Sequence, residues 1–246
     1  MKRLLSLLFA LTALGSWCAC AEPPTAATAL LLCNGHASLC DRPYDQVAYL
    51  TTHNAMANDD DGWIGPNQRR SIDAQLTDGV RGFMLDTHQE DGETLLCHGL
   101  CYLGSEPLTE ALSRFTRFLD DNPLEVITLI LEAYAPFEET AQSFEDSGLL
   151  SYAHVHTPGT PWLSLGELIE RDERLIVLSD GEGGAPWYHP VWDHCWETHW
   201  HWEAPAEMNC ESNRGDTAHP LFILNHFITD PVASEMDAAE VNEEHF

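Results

Sequence analysis

Five short apolar runs recur along the chain, and each of them ends in polar residues. In sequence letters the runs are VAYLTTH, VRGFMLD, VITLILE, LIVLSD and LFILNH. Nearly every position within them is apolar, which is typical of strands that are buried on both faces of a parallel sheet. The polar residues that end them are, in order, His53-Asn54, Asp86, Glu132, Asp180 and Asn225-His226. Side chains in these positions share the edge of a parallel sheet where chemistry is usually found.

The stretches between these runs have helical periodicity. One of them predicts a single amphipathic helix, because apolar residues recur at three- and four-residue spacing: Leu108, Ala111, Leu112, Phe115, Phe118 and Leu119. We expect Ser105 to cap this helix, Pro107 to lie in its first turn and Pro123 to end it. Residues 163–169 and the segment SEMDAAEVNEEHF are predicted to form further helices. Strands that alternate with helices predict right-handed crossovers and an α/β fold.

The charge balance of the chain is strongly acidic. Asp and Glu number 40 against 11 Lys and Arg, which gives a formal net charge of −29, and the only lysine is Lys2. A mechanism that needs a lysine Schiff base or a phosphate-loop lysine is therefore excluded once the first residues are removed. A surface of this charge repels nucleic acid backbones and anionic bilayers. We expect no nucleic acid partner, and we expect a monomer.

The amino terminus has the parts of an export signal. A short basic start precedes an apolar run of 14 residues from Leu4 to Trp17, and residues 19–21 offer a small-residue cleavage site. We predict a signal peptide over residues 1–21, a flexible tail over residues 22–32, and a secreted, periplasmic or cell-surface protein. A membrane anchor is the alternative, although the apolar run is short for a bilayer.

Cysteine usage indicates disulfides. Cys18 and Cys20 lie in the predicted signal, where attachment of a lipid is an alternative to simple cleavage. The remaining cysteines are even in number, and in an exported chain this favours disulfides. Their spacing predicts three local pairs, which are Cys33–Cys40, Cys97–Cys101 and Cys195–Cys210. The alternative of a zinc site at Cys97 and Cys101 is weak, because no second pair of ligands has matching spacing.

The polar strand ends, together with His98, form a set of residues with defined chemistry. His53 and His98 can act as a base and an acid near neutral pH. Asn54, Asp86 and Glu132 offer an amide oxygen and carboxylates, which are hard ligands that suit calcium better than zinc. A divalent cation beside a pair of histidines fits displacement at a phosphodiester. One imidazole takes a proton, the other gives one, and the cation neutralises charge on the phosphoryl oxygens.

Four motifs, in their order and spacing, resemble the X region of phosphatidylinositol-specific phospholipases C, above all the secreted bacterial and plant X-domain-containing proteins. The motifs are THNAM, QLTDGVRGFMLD, LCHG and DNPLEVITLILE. The resemblance covers residues 41–135 strongly, and the segments CNGHASLC and LFILNHF more loosely. It implies a TIM-like (β/α) barrel, often irregular, for residues 33–246. Since the sequence after Phe227 predicts no further strand, we expect the barrel to be incomplete, either because the chain is a fragment or because closure is partial.

The resemblance also implies a function. His53 would be the general base on the inositol 2-hydroxyl, and His98 the general acid for the diacylglycerol oxygen. The chain would be an exported phosphoric diester hydrolase that acts on a phospholipid or inositol phosphodiester during transient contact with a membrane. One alternative is a phosphodiesterase for another phospholipid or a glycerophosphodiester. A second alternative, from a different class, is a catalytically weak surface protein that binds lipid or glycan.

Calcium is the cofactor that the resemblance implies. Asn54, Asp86 and Glu132 stand where the calcium-dependent branch of the family binds its metal. The metal-free bacterial branch instead has an arginine in place of Asp86 and a lysine in place of Glu132. Met84 occupies the position of a further acid, so we expect calcium binding to be weakened, or the gap to be filled by water or by Asp180.

Four residues are predicted to contact the substrate. Asp180, Asn225 and His226 end strands in the expected pocket, although a capping role for Asp180 is equally compatible with the sequence. Trp187 begins a stretch, residues 187–202, that is dense in tryptophan and histidine. One interpretation is an aromatic rim that packs on a sugar ring or enters a lipid interface.

Two other interpretations of residues 187–202 remain open. The stretch contains four histidines that could bind zinc or copper, which are His189, His194, His199 and His201. Alternatively, it is an aromatic loop core held by the predicted Cys195–Cys210 bridge.

Overall fold

The computed structural model describes residues 31–229 and 233–244. The predicted signal peptide, with Cys18 and Cys20, and most of the predicted tail lie outside these residues. The strands are β1 (Thr51–Thr52), β2 (Gly82–Glu90), β3 (Glu93–Leu96), β4 (Glu106–Pro107), β5 (Ile127–Ala133), β6 (Leu175–Ser179), β7 (Tyr188–Pro190), β8 (Cys195–Thr198), β9 (Ser212–Gly215) and β10 (Leu221–Ile223). The α-helices are α1 (Ile72–Thr77), α2 (Leu108–Asp121), α3 (Phe137–Asp146), α4 (Leu165–Glu170) and α5 (Glu235–Glu244). Within the described ranges, no helix has the length and apolarity needed to cross a membrane.

Parallel strands form the centre of the main sheet. They follow the order β1, β2, β5, β6, β7, and β3 and β4 extend the edge of β2 as antiparallel strands. A separate sheet places β8 between β10 and β9. The mixed α/β class predicted from the sequence is confirmed. In the part of the chain that the structure describes, the two sheets do not join into a closed barrel.

The central strands are buried on both faces, as their uninterrupted apolar runs predicted. Residues Ile127, Leu129 and Leu131 of β5 pack in one core with the apolar stripe of α2. Ile176 and Leu178 of β6 belong to a second core. The two faces alternate because successive side chains of a strand point in opposite directions.

The predicted helices are found with small changes at their ends. Helix α2 buries the predicted stripe, but its N-cap is Pro107, and no side chain caps it. Ser105 is therefore not the cap, because the short strand β4 leads directly into the helix. Helix α4 begins with a capping box between Ser164 and Glu167, in which each side chain bonds to the other's backbone N–H. Helix α5 confirms the prediction for the carboxyl-terminal segment.

Two of the three predicted disulfides are present, Cys33–Cys40 and Cys97–Cys101. The third is wrong, since Cys195 is a buried free thiol and Cys210 an exposed one. Strands β8 and β9 are antiparallel, and Thr198 is the register partner of Ser212. This register places Cys195 at one end of the β8–β9 ladder and Cys210 beyond the other. Disulfides need Cα atoms within about 7 Å of each other.

A cluster of buried histidines surrounds Trp162 in the second core. The ring of His156 stacks on that of Trp162 with centroids 3.6 Å apart. Nε2 of His189 accepts a hydrogen bond from the backbone N–H of His156, and its Nδ1 donates to the carbonyl of Val177. His154 and His194 complete the cluster. The first half of residues 187–202, which contains His189 and His194, is thus part of a buried loop core, without the predicted bridge.

The interpretation of residues 187–202 as a zinc or copper site is wrong for the residues that the structure describes. His199 and His201 are exposed, whereas His189 and His194 are buried. The one described group of three or more ligand atoms within 4.8 Å of one another consists of His88, Cys97 and Cys101. Both of these cysteines are in a disulfide, so this group offers no thiolates to a metal.

We predict that the histidine cluster destabilises the protein in acid. Burial lowers the pKa of His156 and of His189 to about 4. Repulsion from the neighbouring histidines adds to this effect, while the hydrogen bond to the Val177 carbonyl opposes it at His189. The unfolded state, with ordinary pKa values near 6.5, then binds more protons than the folded state, and stability falls as the pH drops from about 6.5 to about 4. We expect a loss of roughly 2–3 kcal/mol for each of these imidazoles. Urea unfolding at pH 7 and pH 4.5 measures it.

The variant His156→Phe separates this effect from the titration of carboxylates. Phenylalanine keeps the stack on Trp162 but removes one imidazole. Other charged groups around the cluster stay in place, namely Glu173 at His154 and Asp193 at His194. The loss of stability between pH 7 and pH 4.5 should be smaller in this variant. The same loss in the variant and the parent would contradict the prediction.

Candidate active site

Three carboxylates occupy one row where the parallel pairing of β2, β5 and β6 comes to its end. Asp86 of β2 is the register partner of Glu132 of β5. Asp180 directly follows β6, one residue beyond the pairing of Leu131 with Ser179. Asp86 is only 3% exposed, while Glu132 is half-buried and Asp180 is exposed. The parallel register therefore brings these acids to one edge of the sheet, as the polar strand ends predicted.

His98 is bound to the most buried of these acids. It follows β3 and is exposed, and its Nδ1 lies 3.1 Å from Oδ2 of Asp86. An ionised carboxylate can only accept, so Nδ1 carries the proton of this hydrogen bond and Nε2 is left to exchange one. The hydrogen bond to Asp86 raises the pKa of His98, against the opposing effect of its partial burial.

His53 lies just beyond β1, which pairs with the first half of β2. Its ring stacks on Phe227 with centroids 4.8 Å apart, and its backbone carbonyl accepts a hydrogen bond from Nε2 of Gln68. Burial lowers the pKa of His53, the charge of Asp86 raises it, and the charge of His98 lowers it again. Asp86 thus acts on both histidines, through a hydrogen bond to His98 and through its charge at His53, and the pKa values of the two histidines shift in opposite directions. Such divergence is the pattern of a base and an acid.

The oxygen donors of the site fit a hard cation. Oδ1 of Asp86, a carboxylate oxygen, is buried and has no hydrogen-bond partner. Nδ2 of Asn54 is also buried without a partner, but an amide N–H can only donate, so it needs an acceptor and not a cation. Buried polar atoms without a partner are unfavourable, so a ligand or water is expected beside them. A carboxylate and an amide, with Glu132 in the same row, are the donors that calcium prefers. Met84 lies deeper on the same face of β2 and adds no oxygen.

The pKa of Glu132 is shifted by the other charged residues of this row. Burial and then the charge of Asp86 raise its pKa, whereas a hydrogen bond from the Tyr134 hydroxyl, 3.1 Å away, lowers it. Asp180 raises the pKa further, and Arg214 lowers it. Uncompensated negative charge of this kind is relieved when a cation binds.

The four predicted substrate contacts have different surroundings. Asp180 lies in the acidic row, and its Oδ1 accepts a hydrogen bond from the backbone N–H of Ala133. Asn225 is buried, and its side-chain N–H groups donate to Glu197 and to the carbonyl of Thr198. Its amide therefore supports the second sheet. His226 follows it and is half-buried.

The prediction for Trp187 is corrected by the structure. Its ring packs against Phe144 and Phe137 of α3 and against Tyr188. It belongs to the core between the helices and the main sheet, because the chain enters β7 with this side chain on the helix side. It does not contact the site.

Sequence reasoning missed several residues at the site. Phe227 stacks on His53. The sequence pattern predicts a site role only for Asn225 and His226 in the same segment, LFILNHF. A cleft beside the acidic row is lined by Trp192, Glu197 and Arg214, together with Met84, Glu132 and Asp180. The one sequence feature that could have indicated this cleft is Glu197, an acid within the otherwise apolar start of a strand.

Comparison with known proteins gives a family match. The model of a family described as PI-PLC X 1 matches residues 39–243 of the chain. A protein of Arthroderma benhamiae named "Uncharacterized secreted protein" is 28% identical over 214 residues, which are 79% of this chain and 47% of the relative. A PI-PLC X domain-containing protein of Arabidopsis thaliana is 27% identical over 227 residues, 80% of this chain and 52% of the relative. The chain spans about half the length of these two relatives.

Two solved structures are similar over part of the fold. A mutant of the phosphatidylinositol-specific phospholipase C from Staphylococcus aureus has a TM-score of 0.47 at 16% identity, covering 61% of this chain and 53% of that chain. PLC21 of S. officinalis has a TM-score of 0.46 at 17% identity, covering 60% of this chain and 19% of that chain.

Proposed function

The chain belongs to the PI-PLC X-domain family, and on this premise we propose that it is an exported phosphodiesterase. It cleaves the phosphodiester of a phospholipid head group, with phosphatidylinositol as the first candidate, by acid–base catalysis with two histidines. The observation that carries this proposal is that one buried carboxylate, Asp86, is hydrogen-bonded to His98 and also acts on His53 through its charge.

Each histidine has a defined task in this mechanism. His53, neutral at its lowered pKa, accepts the proton of the head-group hydroxyl that attacks the phosphorus. His98 holds its Nδ1 proton against Asp86 and gives the proton on Nε2 to the departing alkoxide of the diacylglycerol. The cyclic phosphate that forms is opened by water with the two roles reversed. Asp86 fixes the orientation of His98 and stabilises its protonated form.

Asn54, Asp86 and Glu132 would hold calcium in this site. When bound, the cation supplies neutralisation of the negative charge that develops on the phosphoryl oxygens. The chain's own contribution is a buried, partner-free carboxylate oxygen on Asp86 and a row of acids that repel one another. With Met84 in place of an acid, the site offers one anionic ligand fewer, and we expect modest calcium affinity.

Export and substrate access have separate support. The bonded pairs Cys33–Cys40 and Cys97–Cys101 are typical of oxidising compartments. One relative is named a secreted protein. With a net charge of −29, the protein approaches neutral or zwitterionic bilayers more easily than strongly anionic ones. We therefore expect its activity to fall as other anionic lipids are added to vesicles that contain the substrate.

The test of the function is a head-group assay. Purified protein is incubated with phosphatidylcholine vesicles that contain phosphatidylinositol, and water-soluble inositol phosphate is measured with and without a calcium chelator. We expect release that the chelator suppresses and that added calcium restores. Parallel assays with phosphatidylcholine, sphingomyelin and glycerophosphodiesters establish the head group. If none of these substrates yields product, the enzyme proposal is wrong, and the lipid-binding alternative is favoured.

A further inference from the structure

A disulfide closes a short loop that contains His98. Cys97 follows β3 directly and is bonded to Cys101, which begins a single turn of 3-10 helix. The loop between the two cysteines therefore consists of residues 98–100 alone. Both cysteines are buried, whereas the residues between them are exposed. The proposed general acid thus lies in an exposed loop whose two ends are fixed to each other, with their Cα atoms 5.0 Å apart.

Few other interactions hold this loop in the described part of the chain. The backbone hydrogen bonds of residues 98–100 reach no further than Leu103, and the side-chain hydrogen bond of the loop is the one from His98 to Asp86. The side chain of His98 is 47% exposed, so water competes for that hydrogen bond. Every backbone conformation that a free loop gains is one in which the imidazole can face away from Asp86.

The disulfide also fastens the loop to the strand that carries Asp86. The backbone N–H of Cys97 donates to the backbone carbonyl of Asp86, with the two atoms 3.3 Å apart. A ring nitrogen of His88 lies within 4.8 Å of both sulfur atoms of the bridge. His88 is two residues after Asp86 in β2, so the two side chains share one face of the strand. The bridge therefore packs on the face from which Asp86 meets His98.

We propose that the Cys97–Cys101 disulfide positions His98 against Asp86, so that the bridge serves proton donation and not only the stability of the fold. This inference rests on the phosphodiesterase function proposed above. A catalytic group has to be held close to its productive geometry, and a displacement of about 1 Å can lower a rate roughly a hundredfold. The bridge supplies this order before any substrate binds, because it reduces the number of conformations among which His98 must find Asp86.

The first experiment removes the bridge and compares two leaving groups. The double variant Cys97→Ala/Cys101→Ala is assayed with phosphatidylinositol, whose alkoxide needs a proton, and with a nitrophenyl ester of inositol phosphate, whose phenolate leaves without one. The rate at saturating substrate should fall roughly tenfold to a hundredfold for the lipid, and at least about fivefold less for the nitrophenyl ester. His98→Gln should show the same contrast. Equal losses with both substrates would overturn the proposal.

The other disulfide supplies the matched control. Cys33–Cys40 also closes a short loop, but Asn34 beside it bonds to Val126 just before β5 begins, at the end of that strand opposite to Glu132. Cys33→Ala/Cys40→Ala should lower the urea midpoint of unfolding without a selective loss of activity on the lipid. A selective loss in this control as well would contradict a specific role for the bridge at His98.

A second variant covers the case in which loss of the bridge impairs folding. Two glycines inserted after Gly99, in an exposed turn with φ of 68°, keep the two cysteines bonded but lengthen the loop between them. This variant should unfold near the temperature of the parent and should show the same selective loss with the lipid. Full activity on the lipid with the lengthened loop would overturn the proposal.

A measurement without substrate separates this inference from the proposed function. At about pH 9, where imidazoles are neutral, nitrogen NMR of the calcium-free protein reports which ring nitrogen of His98 carries the proton. The parent should carry it on Nδ1, facing Asp86, whereas the variant without the bridge should carry it mainly on Nε2, as free histidine does in water. The same tautomer in both proteins would mean that the bridge does not position His98. If the tautomer changes but the unmodified protein cleaves no phosphodiester, the positioning inference stands and the enzyme proposal fails.

Discussion

Replacing His53 or His98 by glutamine should lower the rate of phosphodiester cleavage by roughly 10²–10⁴-fold, with little change in stability. Glutamine fills similar space but transfers no proton near neutral pH. The double variant should be hardly less active than either single variant, because a base and an acid that act in one transition state are not additive. Initial rates of inositol phosphate release, measured at saturating phosphatidylinositol in mixed vesicles, test both statements.

The control for these variants is an exposed histidine. His36→Gln changes an exposed side chain that makes no capping bond. It lies two residues after Asn34, which bonds to Val126 just before β5 begins, and the variant should retain full activity. If His53→Gln or His98→Gln keeps more than about a tenth of the parent rate, the two-histidine mechanism is wrong. Equal losses in all three variants would instead indicate an effect on folding, which the urea midpoint would reveal.

Asp86→Asn should have an effect of similar size and should also weaken calcium binding. The carboxylate is 3% exposed. One of its oxygens holds His98, and the other has no protein partner. Asparagine keeps the shape but removes the charge that orients His98 and would attract a cation. We expect activity to fall about a hundredfold or more and calcium affinity to fall at least about tenfold.

Calcium titration of chelator-treated protein by calorimetry measures the second effect without any substrate. Asp91→Asn, at the exposed turn between β2 and β3, is the matched control and should bind calcium like the parent. Unchanged calcium affinity in Asp86→Asn would remove Asp86 from the metal site. If activity nevertheless fell in that variant, Asp86 would act only through His98.

Much of the fold could be predicted because its signals are local. The uninterrupted apolar runs predicted strands buried on both faces, and β2, β5 and β6 are such strands. The apolar stripe of α2 could be read from its spacing for the same reason. The polar residues that end three of the runs could be placed at one edge of the main sheet, since parallel strands share that edge, whereas the run before Asn225 forms β10 of the second sheet. Asp86 and Glu132 are register partners at the edge of the main sheet.

The errors concern how segments and side chains are placed relative to one another in the fold. Closeness in sequence suggested a Cys195–Cys210 bridge, but an antiparallel ladder separates the two thiols. Trp187 belongs to an aromatic stretch that looked like a binding rim, yet its direction at the start of β7 sends it into the helix layer. Arg214 gave no sign in the sequence of its place in the cleft, because its partner Glu197 lies on another strand.

The sequence by itself determined the α/β class, and it predicted the strand ends that carry polar side chains and the pair His53 and His98. These properties follow from periodicity and from residue order along one segment at a time. Only the tertiary structure decided that the main sheet stays open in the described residues, that Cys195 and Cys210 do not pair, and which arginine lines the cleft beside the acidic row. Each of these depends on strand register and on the direction of a side chain across the sheet, and such relations between segments leave no periodic trace in a single chain.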